Sequence, residues 1–125
     1  MFEIFRIKYF GIQPVATIKS KTIQKIIRRD YGDNFNEVKR KLESVRSDAP
    51  GGLNRLSAAI LKLASGRVSE IDSLIEKCNF DFRDVVSKAE YPSFFKSAAG
   101  KIESKDARKL YLSDWINYTK WLNKE

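Results

Sequence analysis

The chain has 125 residues, of which 42% are hydrophobic and 32% charged, and its 24 basic and 16 acidic residues give a formal net charge of +8. This length and apolar content are typical of one compact domain, so we predict a single domain over residues 1–125 and exclude a largely disordered chain. The chain has no histidine and one cysteine, Cys78, which excludes a histidine-dependent catalytic triad, a zinc site built on histidine or several cysteines, and an intramolecular disulfide.

Cysteine usage and apolar runs indicate where the protein resides. A lone cysteine is typical of a reducing compartment, so we expect a cytoplasmic protein. No apolar run reaches the length of a membrane span, and Glu3, Arg6 and Lys8 interrupt the apolar N-terminal run, which argues against a signal peptide. Because histidine is absent, we expect a protein that is not an enzyme and has no cofactor or metal site.

Residues 1–13 combine aromatic and β-branched side chains without a clear period of either a helix or a strand. Their composition favours an extended N-terminal arm. Pro14 disfavours helical geometry at Gln13, so we expect a new element to begin after it.

Residues 17–31 have the clearest amphipathic pattern of the chain and predict its first helix. Thr17 or Ser20 is suited to cap the start of this helix, and Gly32 to cap its end. One face is apolar and is formed by Ile23, Ile26, Ile27 and Tyr31. The opposite face is basic and is formed by Lys21, Lys25, Arg28 and Arg29.

Asn34 and Glu37 have the spacing of a capping-box variant, so we predict a second helix that runs to about Ser47. The segment Asp48-Ala-Pro-Gly-Gly52 then ends helical structure.

The pattern of residues 53–64 predicts a third helix with a wide apolar face. Arg55 and Lys62 are the only charged residues of this helix. We expect this helix to be central and the most buried. Gly66 is the expected left-handed residue at its end.

We predict four further helical segments, each flanked by capping or breaking residues. They cover residues 69–77, 82–90, 93–99 and 104–123. Ser69 is the expected cap of the first of them, and Asn79 or Asp81 that of the second. Pro92 ends the second and moves Tyr91 out of helical geometry.

Together these elements predict an all-α fold, an irregular bundle of five or six short helices around residues 53–64. An extended arm over residues 1–13 precedes the bundle, and an aromatic helix within residues 101–125 ends it. We interpret the pair 53–64 and 69–77 as a plain αα-hairpin, because the second helix is too acidic to read DNA as part of a helix-turn-helix.

Three segments of the chain resemble a known group of sequences. They are Ala58-Ala-Ile-Leu-Lys-Leu-Ala-Ser-Gly66, Asp81-Phe-Arg-Asp-Val-Val86 and Ala89-Glu-Tyr-Pro92. They are similar to a group of small bacterial hypothetical proteins in which an apolar helix ending at glycine precedes an Asp-Tyr/Phe-Arg-Asp-Val/Leu helix and a Glu-Tyr-Pro turn. The resemblance covers residues 22–92 and is best over residues 58–92. It implies a small cytoplasmic bacterial protein with a helical fold, and it assigns no catalytic or binding residue.

Large aromatic side chains collect at both ends of the chain and lead to the first functional hypothesis, a non-catalytic protein-interaction module. We expect these side chains to pack together within one chain, or to contact a protein partner or a second copy in a homodimer. At the N-terminal end they are Phe2, Phe5, Tyr9 and Phe10, and at the C-terminal end Trp115, Tyr118 and Trp121.

The basic face near residues 19–29 leads to the second hypothesis, non-specific binding of nucleic acid, since cations at helical spacing neutralise phosphates. The alternative is a solvated face that only aids solubility. The residues expected to contact nucleic acid or an acidic partner are Lys19, Lys21, Lys25, Arg28 and Arg29.

Two smaller features have structural explanations. We interpret Asp81 as a helix cap and Arg83 as its surface ion-pair partner, rather than as an anion site with Asp84. Cys78 follows the apolar spacing of its helix and is expected to be a core residue rather than a reactive thiol.

Overall fold

The structure is a computed structural model that describes residues 14–15, 17–46, 48–97 and 105–125. The extended arm predicted for residues 1–13 lies outside this part of the chain. Within the described residues every regular element is helical, and the all-α prediction is confirmed. The α-helices are α1 (Ser20–Tyr31), α2 (Phe35–Leu42), α3 (Gly52–Ala64), α4 (Ile71–Phe80), α5 (Phe82–Glu90), α6 (Pro92–Ser97) and α7 (Lys105–Asn123). Short 3-10 turns over Gly32–Asn34 and Val68–Glu70 precede α2 and α4.

Helix α3 is the centre of the bundle, as its apolar pattern predicts. It packs against α1, α4 and α5, and its contact with α5 is the most extensive in the molecule. Leu56, Ile60 and Leu61 are fully buried there. Ala58 and Ala59, also fully buried, present little side-chain bulk, which allows neighbouring helices to approach closely.

Helix α7 completes the bundle and packs against α1, α5 and α6. Tyr91, Tyr111 and Phe94 form a small aromatic cluster between these elements, with ring centroids 4.3 Å apart for the two tyrosines and 4.2 Å apart for Phe94 and Tyr111. Tyr91 has φ −132° and ψ 55°, so the predicted departure from helical geometry before Pro92 is confirmed.

Helix α2 ends at Leu42, five residues before the predicted end at Ser47. The reason is a tertiary contact with α4. The Asn79 side-chain amide donates to the Ser44 carbonyl and accepts from the Arg46 N–H, each at 2.9 Å, and so holds the chain in a non-helical path. Because Asn79 binds this backbone, Asp81 is the one of the two predicted residues that caps α5. The Asp81 carboxylate accepts a 3.1 Å hydrogen bond from the Arg83 N–H.

Several other predicted caps are corrected by the structure. Helix α1 begins after Lys19 without a side-chain cap from Thr17 or Ser20, and Asn34 makes no side-chain capping bond to α2. Helix α4 begins after the second 3-10 turn, so Ser69 is not its cap. The prediction that Gly32 ends α1 is confirmed, with φ +49°.

The turn after α3 also differs from the prediction in one residue. Ser65 is the left-handed residue that ends the helix, with φ +52°, and Gly66 follows it with φ +83°. A side chain at Gly66 would also approach the Asp30 carbonyl oxygen to 3.2 Å. Glycine is therefore required at this position both by its backbone geometry and by the close passage of α1.

Candidate nucleic-acid interface

The positive charge of the protein is concentrated on one helical hairpin, which consists of α1, the 3-10 turn and α2. Residues 19–46 contain nine basic and four acidic residues, so they carry +5 of the net +8 of the chain. The two helices pack against each other, and α1 also packs against α3 and α7. The core contacts orient the apolar face of α1 inward, with Ile23, Ile26 and Ile27 buried. The basic face is thereby directed outward.

Most of the predicted contact residues lie on this outward face. Lys19, Lys21 and Arg28 are exposed, and Lys25 is half-buried. Within the described residues none of these four groups forms an ion pair with a carboxylate. Their charge is therefore available to an anionic partner.

Arg29 is the exception, because its side chain is used inside the protein. Its Nη1 donates to the carbonyl oxygens of Trp121 and Lys124, each at 2.8 Å, and its Nε lies 2.8 Å from Asp30. The side chain is only 10% exposed. Arg29 thus satisfies carbonyl groups at the end of α7 and fastens α1 to it. We correct the predicted contact set by removing Arg29.

The structure adds cations from α2 that the sequence hypothesis did not include. The Arg28 guanidinium carbon lies 4.8 Å from the centroid of the Phe35 ring, and the Lys39 ammonium nitrogen lies 6.0 Å from the same centroid. Both cations therefore lie against the same aromatic ring, whose negatively charged faces attract positive groups. Arg40 is also exposed on α2, whereas Lys41 is paired with Asp72 of α4 at 2.7 Å.

This basic surface, which we define as Lys19, Lys21, Lys25, Arg28 and Lys39, therefore spans two helices. A helical pattern over residues 35–42 was visible in the sequence, but only the packing of α2 on α1 shows that Lys39 joins the cations of α1.

The C-terminal aromatic residues of the interaction hypothesis pack mainly within the chain. Tyr118 is fully buried, and this corrects its assignment as an interface residue. Trp115 and Trp121 are partly buried and pack against the core, and the Tyr118 and Trp121 rings stack with centroids 5.6 Å apart. Phe2, Phe5, Tyr9 and Phe10 lie outside the described residues.

A buried ion pair between α3 and α5 was not anticipated from the sequence. Arg55 and Glu90 form two parallel hydrogen bonds, each of 2.9 Å, and Arg55 Nη1 donates to the Pro50 carbonyl at 2.8 Å. Glu90 is fully buried and Arg55 is 6% exposed. Burial opposes the charge of Arg55, but the hydrogen bonds and the negative charge of Glu90 outweigh it, so the Arg55 pKa is raised.

Two more charged groups lie beside this pair. Lys62 donates to the Ala89 carbonyl and lies 5.2 Å from the Tyr118 ring centroid, and burial lowers its pKa although Asp114 and Glu90 oppose the shift. Asp114, 2% exposed, accepts a 3.0 Å hydrogen bond from the Phe94 N–H and so caps α6 from α7. Arg55 and Lys62 are seven residues apart on one stripe of α3, which is the sequence signal for a shared buried environment.

Each of these charged groups hydrogen-bonds to a neighbouring protein group: Glu90 to Arg55, Lys62 to the Ala89 carbonyl and Asp114 to the Phe94 amide. The described residues contain no group of three or more His, Cys, Asp or Glu side chains placed to bind a metal ion. Cys78 is buried, and burial raises the pKa of its thiol, which disfavours the reactive thiolate. Asp81 and Arg83 form a surface ion pair of 3.0 Å that lowers the Asp81 pKa through hydrogen bonds from Arg83.

The buried tyrosines allow a sharp test of the packing around this cluster. The Tyr118 hydroxyl has no hydrogen-bond partner among the described residues, whereas the Tyr31 hydroxyl donates to the Leu61 carbonyl at 2.9 Å. We expect Tyr118→Phe to leave the free energy of unfolding unchanged or to raise it, and Tyr31→Phe to lower it by about 1 kcal/mol. Urea denaturation of both variants measures the difference, and a larger loss for Tyr118→Phe would contradict it.

Within the described ranges, no helix has both the length and the apolar composition needed to cross a bilayer.

No family model matches the chain, and no curated protein or solved structure is significantly similar to it. The resemblance to small bacterial proteins over residues 22–92 therefore stays a prediction.

Proposed function

We propose that this protein is a non-catalytic binding module that contacts the phosphate backbone of nucleic acid through its basic surface. The observation that carries the proposal is the convergence of Arg28 of α1 and Lys39 of α2 on one aromatic ring. Neither cation forms an ion pair with a carboxylate among the described residues, so a polyanion that contacts both can neutralise both.

The spacing along α1 supports a polynucleotide over a single small anion. Lys21, Lys25 and Arg28 extend over about 10 Å of helix axis at 1.5 Å per residue. One strand of a nucleic acid presents a phosphate about every 3.4 Å of duplex axis, so this length accommodates about three phosphates. Lys39 on α2 then adds a contact from a second helix.

Non-specific binding with a steep salt dependence follows from this composition. Lysine side chains are flexible point charges that neutralise phosphates without reading base edges. Five such contacts give a slope of about −4.5 in a plot of log K against log salt concentration for duplex DNA.

The test reverses three cations of the outward face of α1, of which Lys21 and Arg28 are exposed and Lys25 is half-buried. We expect the variant Lys21→Glu, Lys25→Glu, Arg28→Glu to lose affinity for a mixed-sequence DNA or RNA in fluorescence anisotropy at low salt. A matched control reverses Lys96, Lys109 and Lys120, which are exposed on other helices. Both variants change the net charge equally, so only the position of the change differs between them.

Two results would refute the proposal. One is the absence of binding by the unaltered protein at low salt. The other is an equal loss of affinity in both triple variants, since that would indicate attraction by net charge without a defined surface.

We also infer a non-enzymatic role in a reducing, cytoplasmic setting. Engagement of the buried carboxylates supports the first point, since Glu90 is held by Arg55 and Asp114 by the Phe94 amide. The single, buried Cys78 supports the second.

A further inference from the structure

Phe80, the last residue of α4, is the most exposed large apolar residue of the described chain, with 92% of its surface accessible. It lies between two recesses of the α4–α5 face. One recess, of about 340 Å³, has an apolar floor of Leu63, Leu74 and Val85, and the other, of about 540 Å³, is lined by Asp48, Phe82 and Arg83, among others. Phe80 itself lines both recesses, so a projecting aromatic ring and an apolar recess are neighbours on one face.

The charges around this face balance, in contrast to the rest of the chain. The two recesses together are lined by three cationic and three anionic residues, so the face is neutral on a protein of net charge +8. The cationic residues are Lys77, Arg83 and Lys88, and the anionic residues are Asp48, Asp81 and Asp84.

We propose that the α4–α5 face binds a second copy of this chain in a two-fold symmetric dimer, with Phe80 of each copy in the Leu63–Leu74–Val85 recess of the other. An isologous interface requires that one surface carry both the projection and its recess, and this face does. Arg83 and Asp81 already pair within one copy, and the remaining two cations and two anions are balanced, so they can pair across a two-fold axis.

Electrostatics allows a second copy to bind at this face. Two molecules of charge +8 repel each other through most of their surfaces, and this repulsion is smallest where the local charge is zero. The aspartates of the face disfavour a polyanion, and its cations disfavour a strongly basic partner. The inference is independent of the proposed function, since the basic surface lies on α1 and α2.

The experiment is sedimentation equilibrium of the full chain at concentrations up to about 1 mM, where even a weak interface is populated. We expect the unaltered protein to dimerise and Phe80→Asp to weaken the dimer by about 30-fold or more, as for a central aromatic anchor. Leu53→Asp is the matched control, because Leu53 is 52% exposed at a different groove, beside α1 and α2. It introduces the same charge and is expected to leave the dimer unchanged.

Salt provides a second readout that separates this inference from nucleic-acid binding. Screening of the repulsion between the two copies should strengthen the dimer as ionic strength rises, whereas it weakens phosphate contacts. Phe80→Asp should retain nucleic-acid binding, and the triple reversal on α1 should retain the dimer. A monomer at all concentrations, an undiminished dimer in Phe80→Asp, or an equal loss in Leu53→Asp would each overturn the proposal.

Discussion

Replacement of Glu90 by alanine is expected to lower the free energy of unfolding by about 3–5 kcal/mol, as is usual when one partner of a buried ion pair is removed. Arg55 would then remain buried, with its charge no longer neutralised and two of its hydrogen bonds lost. The α3–α5 contact is the most extensive in the bundle, so the defect lies where the fold depends most on packing. Urea denaturation followed by circular dichroism measures the effect.

The matched control for this prediction is the exposed pair of Asp81 and Arg83. Arg83→Ala removes an arginine that also pairs with a carboxylate, but its side chain is 78% exposed and we expect no measurable change in unfolding. The double variant Arg55→Met, Glu90→Leu should recover much of the stability lost in Glu90→Ala, because neither charge is then buried. Equal effects of Glu90→Ala and Arg83→Ala would show that the buried pair has no special role.

Replacement of Leu56 by alanine is the second substitution with a large expected effect, about 2–5 kcal/mol in the free energy of unfolding. Leu56 is fully buried on α3, so truncation removes apolar contacts and leaves a cavity that the neighbouring helices fill only in part. Thermal and urea denaturation of the variant measure the loss.

Leu53 is the internal control, since it belongs to the same helix but is 52% exposed. Leu53→Ala should change the free energy of unfolding by less than about 0.5 kcal/mol. Similar losses in both variants would contradict the central position of α3.

Helical periodicity predicted the main elements because it depends on neighbours three and four residues apart. The first helix, the central helix and the segment 82–90 were all recognisable from their apolar spacing. Asp81 and Pro92 bound the last of these by local backbone chemistry, as a cap and a breaker, and both act in the structure as the sequence indicates.

Helix ends that depend on distant residues were predicted less well. Asn79 of α4 bonds the backbone after α2 and stops that helix five residues early. Its partners, Ser44 and Arg46, lie more than thirty positions away, at a separation that no local pattern represents.

One part of the candidate interface follows from the local sequence, and another part depends on contacts between residues far apart in the chain. The basic stripe of α1 was visible because its members share one helix face. The hydrogen bonds of Arg29 to the end of α7, and the contact of Arg28 and Lys39 with one Phe35 ring, arise only from the way the helices pack.

By itself the amino-acid sequence determined the helical class, the central position of α3 and the basic character of α1. These follow from the order of apolar and charged residues within a few turns of helix. Only the tertiary structure decided which charges are buried in pairs, as Arg55 and Glu90 are, and which remain on the outer surface. The physical reason is that the free energy of a charged group depends on its burial and on its nearest opposite charge, and both are set by helices remote in the chain.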